Sequence, residues 1–332
     1  MFSCQAPSEG VGMSTYRVVV TDQVFPTVDL ERELLHEIDA ELVVAHGDRE
    51  KVLELARDAD ALLNTYLPVD AGFIAQLRSC KIIARYGIGV DNIDRDAARA
   101  AGIPVTNVPD YSVEEVAAHT LALLLMLLRR IPEGLETVRT GAWTIDHVRP
   151  LARLSELHVG LVGFGRIAQR LARSLEALDI TCVVFDPYVS TEARACAPAH
   201  IRFVDELDAL LESVDAMSLH CPLTPQTRGL IGADQLSKLP SHAVLVNTSR
   251  GPLVDTDALI GALLAGSLRG AALDVVDPEP PADPAGLAAT PGLHVTPHTA
   301  FYSESALREA QRKATSQVIQ GLTGQPLDYQ VN

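Results

Sequence analysis

The stretch Val159-Gly160-Leu161-Val162-Gly163-Phe164-Gly165-Arg166-Ile167-Ala168-Gln169 fits a G-x-G-x-x-G/A turn on Gly163, Gly165 and Ala168. Apolar, strand-like residues precede it and a helical pattern follows. Such a turn cradles a pyrophosphate. Gly163 makes the tight turn, Gly165 lets backbone approach the phosphates, and a small residue at 168 lets helix and strand pack closely. The amides of Arg166 and Ile167 would then aim at the phosphates from the helix N-terminus. Eighteen residues past Ala168, Asp186 closes the next strand-like run. A carboxylate there can accept from both ribose hydroxyls and repels a 2′-phosphate. No Arg follows it directly, so the pattern favours NAD over NADP. Glycine turns of this kind are common; the acid at this offset gives this one its weight.

Three more strand ends carry polar residues that a packed sheet does not require. They are Asn247-Thr248-Ser249-Arg250-Gly251, Asp274-Val275-Val276-Asp277-Pro278-Glu279, and Thr296-Pro297-His298. Singly, each is ordinary: a solvated turn, a charge in a proline-rich loop, a surface histidine. The carboxyl ends of parallel strands line one crevice in a doubly wound sheet. Arg250, Asp274, Glu279 and His298 would then face it beside the glycine turn.

The elements that must position these residues alternate along the chain. Strand-like runs at 17–21, 41–45, 59–65 and 81–85 are separated by helical patterns, the first at 29–38. This is the mark of βαβ units and a parallel sheet over about the first 108 residues. A long apolar helix follows at 113–130, with Ser112 as its cap and Glu114 and Glu115 in its first turn. A second series has strands at 158–162, 181–185, 202–204, 216–220, 243–247, 270–275 and 294–296. The proline-dense segment 277–284 reads as a loop.

Composition bounds the function. The chain has 332 residues, 47% of them hydrophobic, and a net charge of −16. That length suits two domains, and a field of that sign disfavours nucleic acid and anionic lipid. Five scattered cysteines without a CxxC argue against a disulfide framework or a metal site and fit a cytoplasmic protein. The apolar run 121–128 is too short to span a membrane. Residues 1–14 lack the pattern of a signal peptide and read as disordered.

The motifs together resemble the D-isomer-specific 2-hydroxyacid dehydrogenase family. The resemblance is carried by Arg85-Tyr86-Gly87-Ile88-Gly89-Val90-Asp91-Asn92-Ile93-Asp94, the glycine turn, His220-Cys221-Pro222-Leu223-Thr224, 247–255, 272–280 and 296–298, in the family's order. Asp91–Asp94, 185–188 and 298–303 are most similar to the branch of the C-terminal binding proteins, NAD(H)-binding corepressors on a dehydrogenase fold. The resemblance implies an α/β protein of two doubly wound parallel-sheet domains. A Rossmann NAD-binding domain (111–300) would be inserted into a flavodoxin-like substrate domain (15–110 plus 301–332), with a cleft and hinge near Pro109 and Ala300.

It also implies roles. Arg250 would bind the carboxylate of a 2-keto acid and polarise its carbonyl, His298 would donate the proton, and Glu279 would favour the imidazolium. Asp274 would hold the nicotinamide carboxamide. Ser112, Cys221, Pro222, Thr227, Thr248 and Arg250 would line the cofactor with Gly163, Gly165, Arg166, Ile167 and Asp186. The amides of Ile88 and Gly89, with Tyr66, would meet the substrate. The implied reaction moves a hydride between NAD(H) and C2 of a small 2-hydroxy or 2-keto acid, in a homodimer paired through the Leu-rich helix. The alternatives are an NAD(H)-sensing corepressor-like protein and a dehydrogenase of formate or phosphite. The latter is disfavoured because formate enzymes typically carry Gln where Glu279 stands. Residues 299–332 do not resemble a regulatory ACT domain, which weakens an expectation of a serine-feedback phosphoglycerate dehydrogenase.

Overall fold

A computed structural model describes residues 15–332. The expectation of disorder at 1–14 lies outside the described residues. The chain divides into two units. Of the described residues, one comprises 15–111 with Glu304–Asn332, and the other comprises Ser112–Ser303.

The first unit holds β1 (Tyr16–Val20), β2 (Ala40–Val44), β3 (Ala61–Asn64), β4 (Ile82–Arg85) and β5 (Val105–Thr106). They form one parallel sheet in the order β2-β1-β3-β4-β5, the flavodoxin-like order. Val19, Leu62, Ile83 and Val105 face a core with Val52, Phe73, Ile74 and Ala98. The helix Glu304–Thr323 packs on β3 and β4 and against the helix Asp29–His36. Gly321 lets it approach, since a Cβ there would lie 2.8 Å from Ile82. The C-terminal tail then zips against β5, with Val331 N–H donating to the Val105 carbonyl at 2.9 Å.

The second unit holds β6 (His158–Val162), β7 (Thr181–Phe185), β8 (Ile201–Val204), β9 (Ala216–Leu219), β10 (Val244–Asn247), β11 (Gly270–Leu273) and β12 (Leu293–Val295). All pairings are parallel, in the order β12-β11-β10-β9-β6-β7-β8. This is the Rossmann order with one strand added at the edge. It reverses between β6 and β9, where such sheets bind ligands. Successive residues serve opposite cores. Val159, Leu161, Cys182 and Val184 pack with the helices Val113–Leu128 and Arg166–Glu176. Val162, Val183, Met217 and Leu245 pack with Leu210, Leu236 and Leu259. Burial on both faces explains why these strands read as unbroken apolar runs.

Two local readings need correction. The helix expected over 113–130 ends at Leu128, because Arg130 takes a left-handed φ of +51° and a second helix, Ile131–Arg139, begins there. Ser112 occupies the N-cap position, but its side chain makes no capping bond. Leu123, Leu124, Leu127 and Leu128 are buried in the unit's own core. Leu121, Leu125 and Met126 of the same helix are only half-buried. Among the described residues, no helix is long and apolar enough to cross a membrane.

Candidate nucleotide and acid–base site

The glycine turn sits where β6 feeds the helix Arg166–Glu176. Gly163 has φ +92°, and a Cβ there would lie 2.8 Å from the Cys221 amide nitrogen, so only glycine fits. Gly165 is exposed, and a Cβ on it would meet nothing within 4 Å. The helix begins at Gly165 with no side-chain cap and no acid in its first turn. Its leading amides, including those of Arg166 and Ile167, therefore stand in the setting that receives an anion. Space over Gly165 and an uncapped helix start fit a pyrophosphate.

Asp186 lies at the end of β7. Its carboxylate accepts from the amides of Phe164 and Tyr188, each at 2.8 Å, which fixes it beside the turn. Arg194, a cation near this loop, is tied to Asp205 at 2.6 Å and to the Asp186 carbonyl.

Cys221 and Pro222 follow β9 on the other side of the sheet's switch point. Thr227 closes their loop by donating to the Pro222 carbonyl at 2.7 Å. Thr248, after β10, is buried and shares a 2.8 Å hydroxyl contact with Thr120. Ser112 is fully buried, and its hydroxyl has no hydrogen-bond partner among the described residues. His220 is held neutral by burial, which pushes its pKa down to about 4.

Arg250 is half-buried and is positioned by its neighbours. Asn247 Nδ2 donates to the Arg250 carbonyl at 2.8 Å. Gly251 presses against the next strand's loop so closely that a Cβ would fall 1.9 Å from the Val276 carbonyl oxygen. Arg250 Nη1 donates to the Ser249 carbonyl.

His298 Nδ1 lies 2.5 Å from Glu279 Oε1. With the carboxylate accepting, Nδ1 carries a proton and Nε2 is left to exchange one. His298 adopts φ +52°, an uncommon conformation for a residue with a side chain. Its backbone N–H donates to the Asp274 carbonyl at 2.8 Å, and its ring meets Phe301 edge-on at 5.9 Å.

Asp274 does something the sequence did not reveal. Its carboxylate is 1% exposed. It accepts from the Thr296 hydroxyl at 2.6 Å and from the amides of Thr299 and Ala300 at 2.9 Å each. His119 bonds Thr296 from behind at 3.1 Å. Asp274 therefore anchors the loop that carries His298. The signal available was an Asp directly after a glycine-led strand, which any strand end could show.

The second unit thus gathers the glycine turn, Asp186, Arg250, Asp274, Glu279 and His298. Tyr66, Ile88 and Gly89 belong to the first unit, at the carboxyl ends of β3 and β4. Asn107 Nδ2 donates to the Ile88 carbonyl at 2.6 Å and holds that loop.

Residues 121–300 match the family model described as D-isomer specific 2-hydroxyacid dehydrogenase, NAD binding domain. The chain is 34% identical over 318 residues to the D-3-phosphoglycerate dehydrogenase of Methanocaldococcus jannaschii, covering 95% of this chain and 59% of that protein. It is 34% identical to the glycerate dehydrogenase of Methylorubrum extorquens, covering 83% of this chain and 87% of that one. Among solved structures, the NADPH-dependent glyoxylate/hydroxypyruvate reductase of Sinorhizobium meliloti aligns with a TM-score of 0.82 at 32% identity, covering 96% and 97% of the two chains. The chain spans only 53–59% of the length of the D-3-phosphoglycerate dehydrogenases it matches. With the family model matched over more than half of the chain, and with relatives 34% identical across most of this chain, the chain belongs to the D-isomer-specific 2-hydroxyacid dehydrogenase family.

Proposed function

We propose that the protein is an oxidoreductase moving a hydride between NAD(H) and C2 of a 2-hydroxy or 2-keto acid. The observation that carries this reading is the His298–Glu279 pair, 2.5 Å apart, at the carboxyl ends of β11 and β12 in the sheet whose β6 leads into the nucleotide turn. Gly163, Gly165, Arg166, Ile167, Asp186, Cys221, Pro222, Thr227, Thr248, Arg250, Asp274 and Ser112 would hold the dinucleotide, which supplies the hydride when bound. Asp186 supports NAD over NADP, because its charge opposes a 2′-phosphate and Arg194 is committed to Asp205. Arg250 holds the acid's carboxylate with a planar fork and polarises the carbonyl. His298 Nε2 gives its proton to the carbonyl oxygen as the hydroxyl forms, and Glu279 steadies the imidazolium before that transfer. In the opposite direction Nε2 takes the proton back.

The test is NADH oxidation with glyoxylate, hydroxypyruvate, pyruvate and phenylpyruvate. Turnover of at least one supports the reading. No turnover, with recovery of a protein partner that depends on NADH, would favour the corepressor-like role that the likeness at 91–94 and 298–303 raises.

A homodimer is proposed on a surface other than the one read from the sequence. Ile131, Leu135 and Val138 share one face of the helix Ile131–Arg139 and are 47%, 57% and 54% exposed. Trp143 and Ile145 follow, 91% and 60% exposed. An apolar group of this size on a charged chain is a contact surface. Light scattering should give twice 35.6 kDa, and Leu135→Lys should halve that mass. A native monomer would overturn the dimer.

A further inference from the structure

The carboxyl ends of β1, β3 and β4 are adjacent in the first unit's sheet, so the segments 21–28, 64–69 and 85–92 share one edge. Tyr66, Ile88 and Gly89, the proposed substrate contacts, lie on two of them. Their charges are few. Asp22 and Asp91 are acidic, and Arg85 is the only Lys or Arg in all three segments.

Arg85 is 9% exposed, and its guanidinium is folded over Gly87, where a Cβ would lie 2.0 Å from Nη1. Arg49, the first residue of the helix Arg49–Ala56, reaches this edge but is committed to the Asp70 carboxylate and the Pro68 carbonyl, each at 2.7 Å. The exposed large side chains here are neutral: Val24 at 44% and Tyr66 at 42%.

Tyr66 is also held firmly. The Asp22 carboxylate accepts from the amides of Thr65, Tyr66 and Leu67 at 3.0, 2.6 and 3.1 Å. Asn92 Nδ2 donates to the Thr65 and Leu67 carbonyls and to Asn64 Oδ1. A turn gripped on both its amide and carbonyl sides presents Tyr66 in a fixed place. The carboxylate that fixes it adds a negative charge to the edge.

We propose that the acid taken by this chain carries an uncharged side chain, met by the loops of Val24, Tyr66 and Ile88, and that phosphorylated acids are rejected. The inference rests on the hydride-transfer reading above. A phosphate monoester brings roughly −1.5 to −2 charge at pH 7. The edge offers it two carboxylates, a buried guanidinium packed over its own loop, and an arginine already paired. A neutral or apolar group pays no such repulsion and gains contact area with the tyrosine ring.

The experiment compares hydroxypyruvate with 3-phosphohydroxypyruvate, which differ only by the phosphoryl group, in NADH oxidation by the full chain. The expected kcat/KM ratio is on the order of 10²-fold or more in favour of hydroxypyruvate. Tyr66→Arg places a cation on the exposed position and should move that ratio about tenfold or more toward the phosphorylated acid. Comparable or faster turnover of the phosphorylated acid by the native chain overturns this inference and leaves the hydride-transfer reading standing. An unmoved ratio in Tyr66→Arg also overturns it, since Tyr66 would then not meet the side chain. No turnover of either acid or of any other keto acid, with NADH bound, overturns both.

Discussion

Asp274→Asn isolates the anchor beneath His298. The native carboxylate accepts from Thr296 and Thr299 on Oδ1 and from Ala300 on Oδ2. An amide keeps one acceptor oxygen, and its best orientation saves the two bonds on the Oδ1 side. The Ala300 N–H then faces an NH2 group in a site that is 1% exposed. That replaces one charge-assisted hydrogen bond with two opposed buried donors, a loss of about 3 kcal/mol. The strain falls on residues 296–300, where His298 already holds an unfavourable φ of +52°. Displacement of the ring by about 1 Å costs roughly 10²-fold in turnover. Urea unfolding followed by circular dichroism and steady-state kinetics on the best keto acid are the assays. Both stability and kcat should fall, while affinity for NADH, measured by its fluorescence, changes less. Native stability with native kcat would refute the anchoring role.

Gly251→Ala must push against the Val276 carbonyl, 1.9 Å from the new Cβ, so Arg250 shifts and turnover falls about tenfold or more. Gly261→Ala, in a helix with nothing within 4 Å of its Cβ, should instead add about 0.5–1 kcal/mol, read from the urea midpoint. His220 is neutral in the folded chain down to about pH 4, whereas the unfolded chain protonates it near 6.5. Its contribution to stability is therefore complete above pH 6.5 and is lost as pH falls toward 4, a change of about 3 kcal/mol. His220→Gln should flatten that part of the stability profile, and an unchanged slope would count against a buried neutral imidazole.

The sequence exposed the strands well, because parallel strands buried on both faces must be apolar along their whole length. Strands β6 and β7 fall on the expected residues, and the helix Arg166–Glu176 starts where the glycine turn requires. The end of the helix at Leu128 was hidden. Arg129-Arg130 continues a helical pattern by composition, and only the left-handed φ of Arg130 breaks it. The leucines of that helix looked surplus because their partners, such as Leu171, Leu175 and Val184, lie far along the chain. The apolar surface sits one helix later, where short spacing and a tryptophan in a polar loop gave little periodic signal. The candidate site residues stood out in the sequence by type and order, but the bonds of Asp274 did not. Its bonds to 296, 299 and 300 depend on β11 and β12 being neighbours, which no local pattern states.

The central claim is that His298 is the proton donor in a reaction whose hydride comes from NADH. Pre-steady-state NADH oxidation by native chain and His298→Gln, at saturating keto acid, tests it most directly. The variant should lose roughly 10²–10⁴-fold in the rate of the chemical step with NADH binding nearly intact. A variant that oxidises NADH at the native rate would contradict it.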